Sequence, residues 1–458
     1  MSICKVGLEA KLKRTSITIS VCASEPFIRL ANALIWLSLA AIVEPDLRRT
    51  KKGMWTRGRR LYLRVHLAVL ILQCLLKETD RGIEERIRHS PIFQVFCGRG
   101  IVPRWKCPDH TKIEEFRNRL LPETQQRLGI AVIKIAQSVG FADPSWMDVD
   151  STVQEANMAY PADSTIMKKL AEKCHKVLSY LRKKKKAYVP KIAIQIESIR
   201  KKAQSYFFLA KNASMELRRK IFKEYHQLVK KELRPAIKFF GSMNDRQLKA
   251  LPWNIRRAVE QARGKGWRYL LDVGHFVRTH GIKAGKILSL HAEEVACIKK
   301  GKAGKDKEFG RVFQLGRIGG NFLIAFACTS VKMNDKQELI PVIEEHREIF
   351  GADVLKSVGT DKGYYSATNV RKTEGLSINA DGLQRPANVK SGPTKEIAIP
   401  LRDRRAGIEP LIGHAKAFGL GKSRMKSDNA SLASGYRSVM GFNLHQLSRH
   451  MAGKVKTG

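Results

Sequence analysis

Acidic residues are scarce in this chain. Its 458 residues include 85 Lys and Arg against only 42 Asp and Glu, a formal charge of +43 at pH 7. Self-repulsion on that scale excludes a free-standing globule as the working state and calls for a polyanion. Nucleic acid is the partner that fits, because phosphate contacts release condensed counterions. Metal-type cysteine spacing is missing as well. Cys4, Cys22, Cys74, Cys97, Cys107, Cys174, Cys297 and Cys328 form no C-x-x-C pair and no Cys/His cluster. That excludes a zinc ribbon and predicts reduced, mostly buried thiols in a cytoplasmic protein. Long apolar runs are also lacking. Ala31 to Val43 is too short to span a bilayer and shows no secretory cleavage pattern, and Leu61 to Leu76 is interrupted by Arg64 and His66. Both runs predict core helices, and no membrane partner is expected. Internal repeats and low-complexity tails are absent too.

What is present is a 43% hydrophobic fraction, enough for two or three domains with a sizeable core. Helical periodicity runs through Phe27–Val43, Leu61–Leu76 and Glu114–Leu128, so residues 1–140 are expected to form a helical unit suited to DNA or to supporting its neighbour. A basic connector, Arg48–Arg60, carries Trp55, and Pro91, Gly98, Gly100, Pro103 and Pro108 mark an irregular stretch. Residues 141–163 begin a second domain with a short strand, Trp146–Asp150. Residues 164–285 form a basic helical insertion, and residues 286–458 return to strands and helices. The insertion carries the run from Arg182 through Lys183, Lys184 and Lys185 to Lys186, then Arg200-Lys201-Lys202 and Lys230-Lys231. These bases are either a solvated face or, as the charge of the whole chain favours, contacts to DNA backbone. The interleaved Tyr206, Phe207, Phe208, Phe222 and Tyr225 predict the core of a helical hairpin rather than base-stacking platforms.

After Gly285 the pattern predicts strands over Phe309–Ile318 and Asn321–Ser330, joined at Gly319-Gly320. An amphipathic helix over Asp335–Phe350, a strand over Val354–Thr360 and a fifth strand over Leu376–Asn379 follow. Helices over Arg404–Ala417 and Leu432–Met451 complete the series.

Cutting a phosphodiester in line needs charge neutralised on the attacking and leaving oxygens. Two Mg²⁺ ions about 3.5–4 Å apart do this, held by carboxylates from separate elements. Three acids suit that role by position: Asp150 closing the first strand, Asp361 closing the fourth, and Glu409 on the helix that follows. Each also has a plain structural account, as a helix cap, a turn residue and an i,i+4 partner of Arg405 respectively. Asp148 shares a strand face with Asp150 and competes for the first position, with Asp163 and Asp353 as weaker rivals.

At these residues the chain resembles bacterial insertion-sequence transposases of the DDE superfamily. The resemblance rests on Asp150-Ser151-Thr152-Val153-Gln154-Glu155-Ala156 running to Tyr160-Pro161-Ala162-Asp163-Ser164, on Gly359-Thr360-Asp361-Lys362-Gly363-Tyr364, and on Arg405-x₃-Glu409-x₆-Lys416. Lys299-Lys300-Gly301-Lys302, Glu308-Phe309-Gly310 and Gly441-Phe442-Asn443-Leu444 extend it, as do stretches of the helical N-terminal unit back to about Glu25. One departure stands at Arg402, where the related pattern often has tyrosine.

The resemblance implies an α/β fold: an RNase H-like mixed sheet flanked by helices, with a helical N-terminal domain and a helical insertion after the first catalytic strand. It implies that Asp150, Asp361 and Glu409 ligate Mg²⁺ or Mn²⁺, two ions in all. Arg405 and Lys416, with Lys183, Lys184, Lys185 and Lys362, would contact DNA. Metal-bound water would free a 3′-OH at the transposon end, and that hydroxyl would attack target DNA. The partners would be double-stranded DNA, both terminal inverted repeats and target, and further copies of the chain. The location would be the bacterial cytoplasm, at the nucleoid. Two alternatives stay open: a nuclease of the same fold without strand transfer, and a catalytically inactive DNA-binding relative.

Overall fold

The computed structural model describes residues 22–48, 62–98, 107–158, 162–184, 188–209, 212–283, 285–290, 295–299, 307–327, 334–387, 389, 392–425 and 427–453. The chain divides into two compact units, Met1–Ala156 with Ile298–Gly458, and Asn157–Cys297.

Among the described residues, the first unit opens with the helices α1 (Pro26–Ala33), α2 (Trp36–Arg48), α3 (Leu63–Leu76), α4 (Asp80–His89), α5 (Pro91–Phe96), α6 (His110–Arg119) and α7 (Pro122–Ser138). Two helices expected as single pieces are split. Leu34 turns to extended geometry after α1, and the Trp36 indole donates to the Ala31 carbonyl at 2.7 Å, so Phe27–Val43 breaks into α1 and α2. Leu120 and Leu121 are extended, and Pro122 disfavours the helical region for Leu121 before it, which separates α6 from α7. Helix α3 is apolar all round and correspondingly buried, with Val65 and Leu67 through Leu72 inside. The connector expected over 48–60 lies, apart from Arg48, outside the described residues.

Strand β1 (Trp146–Glu155) does not stop at Asp150. Ser151, Thr152 and Val153 continue it, paired with the strand β3 described below. The second unit then intervenes in the chain as α8 (Asp163–Lys183), α9 (Ile196–Leu209), α10 (Met215–Ser242), α11 (Asp245–Lys249), α12 (Trp253–Gln261) and α13 (Trp267–Thr279). It has its own core, which includes Met167, Leu170, Cys174, Tyr225, Val229, Phe240 and Tyr269. Helices α9 and α10 form an antiparallel hairpin, fixed by the Lys202–Glu224 ion pair at 2.7 Å and by the Tyr206 and Phe222 rings at 5.2 Å.

The chain continues as β2 (Ala296–Lys299), β3 (Lys307–Ile318), β4 (Phe322–Ala325), α14 (Asp335–Phe350), β5 (Ser357–Thr360), α15 (Ala367–Gly375), β6 (Asn379–Leu383), α16 (Lys395–Ala406), α17 (Ile408–Ala415) and α18 (Asp428–Met451). Six strands form one mixed sheet in the order β2-β3-β1-β5-β6, with β4 also paired to β3. Strand β1 is antiparallel to β3 and parallel to β5, while β6 is parallel to β5. The expected mixed α/β class, a mixed sheet flanked by helices with a helical N-terminal part and a helical insertion after the first strand, is what the chain adopts. The fifth strand comes later than expected, at Asn379–Leu383, because α15 occupies the preceding segment and Ser377 closes it at a left-handed φ of 61°. The strand expected over Val354–Thr360 starts only at Ser357.

One core runs from the N-terminal helices into the sheet, joining Leu67, Leu72 and Val132 to Met147, Val149, Phe322 and Val358. Helix α18 closes it through the stretch Gly441-Phe442-Asn443-Leu444. A side chain at Gly441 would meet the Cys74 carbonyl oxygen at 2.5 Å, so only glycine lets α18 lie this close to α3. Asn443 takes the Leu323 N–H at 3.0 Å and donates to the Leu323 carbonyl at 2.7 Å, closing the open edge of β4 as another strand would. Among the described residues no single helix is long and apolar enough to cross a membrane.

His346 on α14 is fully buried against the Phe350 ring, and burial pushes its pKa down to about 4. The unfolded chain therefore takes the proton first as pH falls. Stability is complete above the unfolded value near 6.5 and is lost as pH falls toward 4, by up to about 3 kcal/mol. Urea unfolding at a series of pH values should show that loss, and His346→Phe should flatten the curve between pH 6.5 and 4.5. A curve unchanged by the substitution removes His346 as its cause.

Candidate active site

The parallel pairing of β1 with β5 ends at Val149 and Thr360, which stand opposite each other. The residue that follows in each case is an acid, Asp150 within β1 and Asp361 just past the end of β5. The carboxyl ends of adjacent parallel strands are where open α/β sheets place ligands. Asp150 is half-buried, and its Oδ1 accepts the Ser151 N–H at 2.7 Å. Its pKa is pushed up to about 6, chiefly by burial and also by the charges of Asp361 and Glu409, with the Ser151 N–H and Arg405 opposing. Asp361 caps the turn that follows it, accepting the Gly363 N–H at 2.8 Å.

Glu409 reaches this neighbourhood from a helix that is not the one expected. Helix α16 ends at Ala406, Gly407 intervenes, and Glu409 lies in the first turn of α17. Arg405 is thus on α16, yet its Nη2 still meets Glu409 Oε1 at 3.4 Å across the break. Arg405 is largely buried, and its Nε has no hydrogen-bond partner among the described residues.

A fourth acid joins the group, one that the sequence did not single out. Asp335, the first residue of α14, takes the Gln314 amide at 3.4 Å. Its Oδ2 and Asp361 Oδ1 lie 3.4 and 3.0 Å from the point where a side chain on Gly363 would begin. Burial raises the Asp335 pKa, and Asp361 adds to it. Tyr364 sits buried among these groups and donates to Gln314 Oε1 at 2.5 Å. Burial lifts its phenol well above the ordinary value, with the charges of Asp335, Asp150 and Asp361 adding to the effect. In sequence Asp335 follows Asn334 of a capping box, and nothing distinguishes it from an ordinary acid in a first helical turn.

Asp148, the rival of Asp150 on the same strand face, has a different environment. It is fully buried, and Arg404 donates to its Oδ1 from Nη2 at 2.9 Å and from Nε at 3.1 Å. Arg317 stands 3.7 Å from its other oxygen. Burial raises its pKa, and these guanidiniums pull it back. Both arginines also lie over the Trp146 ring, at 4.7 and 5.5 Å. Gly359 faces Asp148 across the strand pair, where a side chain would begin only 2.4 Å from Asp148 Oδ1. Asp148 therefore fastens the end of α16 to β1. Of the other rivals, Asp163 is engaged by Tyr269 at 2.9 Å and Lys286 at 2.5 Å within the second unit, and Asp353 lies in an exposed turn.

The expected basic contacts are dispersed. Lys362 is exposed beside Asp361, and Lys416 opens a turn of π-helix after α17. Lys183 and Lys184 are exposed at the end of α8 in the second unit, and Lys185 lies outside the described residues. A cavity of about 540 Å³ next to Lys362 is also lined by Arg385, Lys395 and Arg402, with Asp381 the one acid.

Carboxylate oxygens suit a hard divalent cation, and an acid already strained by its neighbours is where added positive charge would stabilise. The spacing is nevertheless open. Among the described residues no three His, Cys, Asp or Glu side chains are drawn together tightly enough to hold a metal ion. Glu409 in particular is 66% exposed and leans on Arg405. The acids share an electrostatic field without sharing a coordination shell.

Residues 24–119, which span α1 to α6, match the family model described as Transposase domain (DUF772). No curated protein and no solved structure matches the chain. The matched segment ends before β1 and contains none of the acids at the sheet.

Arg404→Ala should leave the buried Asp148 charge with only the more distant Arg317, costing about 3 kcal/mol. Adding Asp148→Asn should recover a large part of that loss, as urea unfolding of the single and double variants would show. A loss below about 0.5 kcal/mol for Arg404→Ala would mean that the clamp does not hold α16 in place.

Proposed function

We propose that this chain is a DNA transposase with a DDE active site on an RNase H-like sheet, in which Asp150, Asp361 and Glu409 hold divalent metal ions. The observation that carries the proposal is that Asp150 and Asp361, remote in sequence, each directly follow the last paired residues of β1 and β5, Val149 and Thr360, and that the charges of Asp361 and Glu409 both act on Asp150. The transposase-domain match of the helical N-terminal part supports it independently, and the +43 charge supplies the attraction for DNA.

When bound, two Mg²⁺ or Mn²⁺ ions would neutralise charge on the attacking and leaving oxygens of the phosphodiester. On this reading Asp150 and Asp361 would be the fixed ligands. Glu409, exposed in the first turn of α17, would be the third ligand if it left Arg405. The released guanidinium, with its unpartnered Nε, then has a phosphate oxygen to bind. Lys362, Arg385, Lys395 and Arg402 line a cavity that would follow the backbone of the same strand. Arg402, where related chains often carry tyrosine, supplies charge there in place of a ring. Lys416 would hold a further phosphate, and the lysines at the end of α8 would give the second unit its own backbone contacts. Two transposon ends have to be joined to one target, so the working form would contain more than one copy of the chain, on chromosomal DNA in the cytoplasm.

A second reading has one observation in its favour. The open spacing of the three acids suits a DNA-binding relative that no longer cuts. Labelled DNA ends flanking the open reading frame, incubated with the protein, a plasmid target and Mg²⁺, separate the cases. We expect joined products from the wild-type chain. Asp361→Asn should bind the ends within about twofold while cleavage falls at least about a hundredfold. Cleavage without joining would point to a nuclease, and end binding by the wild type without cleavage to the inactive relative.

A further inference from the structure

The aromatic run of the second unit is divided between inside and outside. Tyr206 packs on Phe222 in the core, but the next two residues do not follow it. Phe207 is 67% exposed and Phe208 65% exposed, their rings 5.8 Å apart at 78°. Leu209, Met215 and Leu217 are exposed beside them. These five side chains cap the end of the α9–α10 hairpin, where the chain reverses between Leu209 and Met215. A contiguous apolar tip of this kind marks a contact surface.

Its surroundings say what it contacts. Between residues 200 and 224 stand eight Lys and Arg against two acids, Glu216 and Glu224, and Glu224 is paired with Lys202. The whole second unit, residues 157–297, has 32 Lys and Arg against 11 Asp and Glu. Tip-to-tip pairing of two copies would bring two such cationic collars together, which like-charge repulsion opposes. A polyanion with flat apolar faces satisfies both features at once: the collar takes phosphates and the rings take bases. Phe, Leu and Met are also the side chains that wedge between base steps and unstack them.

We propose that the hairpin tip, through Phe207 and Phe208, stacks on bases displaced from the duplex, as at a distorted or freshly cut DNA end. This rests on the transposase reading above and adds a contact that the acid site does not supply. The collar holds the backbone of the strand, and the two rings hold the base that leaves the stack.

The test uses the full-length chain and a short synthetic duplex carrying 2-aminopurine at an extrahelical position, compared with the same duplex fully paired. The wild type should bind the bulged duplex about tenfold more tightly than the paired one and quench the probe. Phe207→Ala with Phe208→Ala should lose both effects while binding paired duplex within about twofold. Both rings are exposed, so the double variant keeps the hairpin core. Replacing both by Trp should retain the preference. Replacing both by Leu, which keeps apolar bulk without a ring face, should lose it.

Binding of paired duplex with no preference for the displaced base overturns the stacking proposal and leaves the transposase reading standing. Failure to bind any duplex overturns both. If the alanine pair changes the sedimentation of the DNA-free protein, or abolishes capture by phosphatidylserine vesicles, and leaves the base preference intact, the tip serves another surface and the proposal falls.

Discussion

A carboxylate taken into a protein needs a counter-charge, and β1 carries two on one face, two residues apart. Asp148 receives its counter-charge: Arg404 reaches it through two N–H groups and Arg317 stands behind. Asp150 receives none at ion-pair distance among the described residues. Its only close hydrogen bond is from the adjacent Ser151 N–H, and the charges facing it are mostly of its own sign. The clamp at Asp148 draws the end of α16 onto the sheet, and so brings Arg405, and Glu409 just beyond Gly407, to the side of the unpaired acid. A residue clamped by arginine through one oxygen thus positions one with no arginine at ion-pair distance among the described residues. An unpaired, half-buried carboxylate is destabilising, and a cation is the ligand that would relieve it.

The same imbalance extends over the chain. The carboxylates gather at the sheet end, while the excess of Lys and Arg spreads over both units. On the proposed reading, the cationic surface would attract nucleic acid generally, and the acids would mark the one place where a phosphate needs an intervening cation. Burial in the core keeps the β1–β5 pair rigid, and the exposure of Glu409 leaves the third acid free to move. On the proposed reading, two rigid ligands and a mobile third would give a site completed on loading rather than beforehand.

Much of this was legible in the residues. The order strand, helical insert, hairpin, helix, strand, strand, helix follows from periodicity, and the hairpin turn from Gly319-Gly320. Asp150, Asp361 and Glu409 followed from the requirement for acids on separate elements together with a family resemblance. The choice between Asp148 and Asp150 was not decidable in sequence, because both point to the same face. The arginines that decide it come from β3 and α16. The break at Gly407 was hidden because Arg405 and Glu409 keep helical spacing and still touch across it. Asp335 looked like an ordinary acid in a first helical turn; what matters is the three-dimensional proximity of Gly363 and Ser151. Phe207 and Phe208 looked like core because Tyr206 is core, and only the hairpin register shows that the chain reverses just beyond them.

The central claim is that Asp150 and Asp361 form a common cation site. A crystal of the full chain soaked in MnCl₂ and measured at an anomalous wavelength tests it directly. The account predicts a Mn²⁺ peak within ligand distance of both carboxylates, with Glu409 turned away from Arg405. Anomalous density elsewhere on the protein, with none between residues 150 and 361, would contradict it.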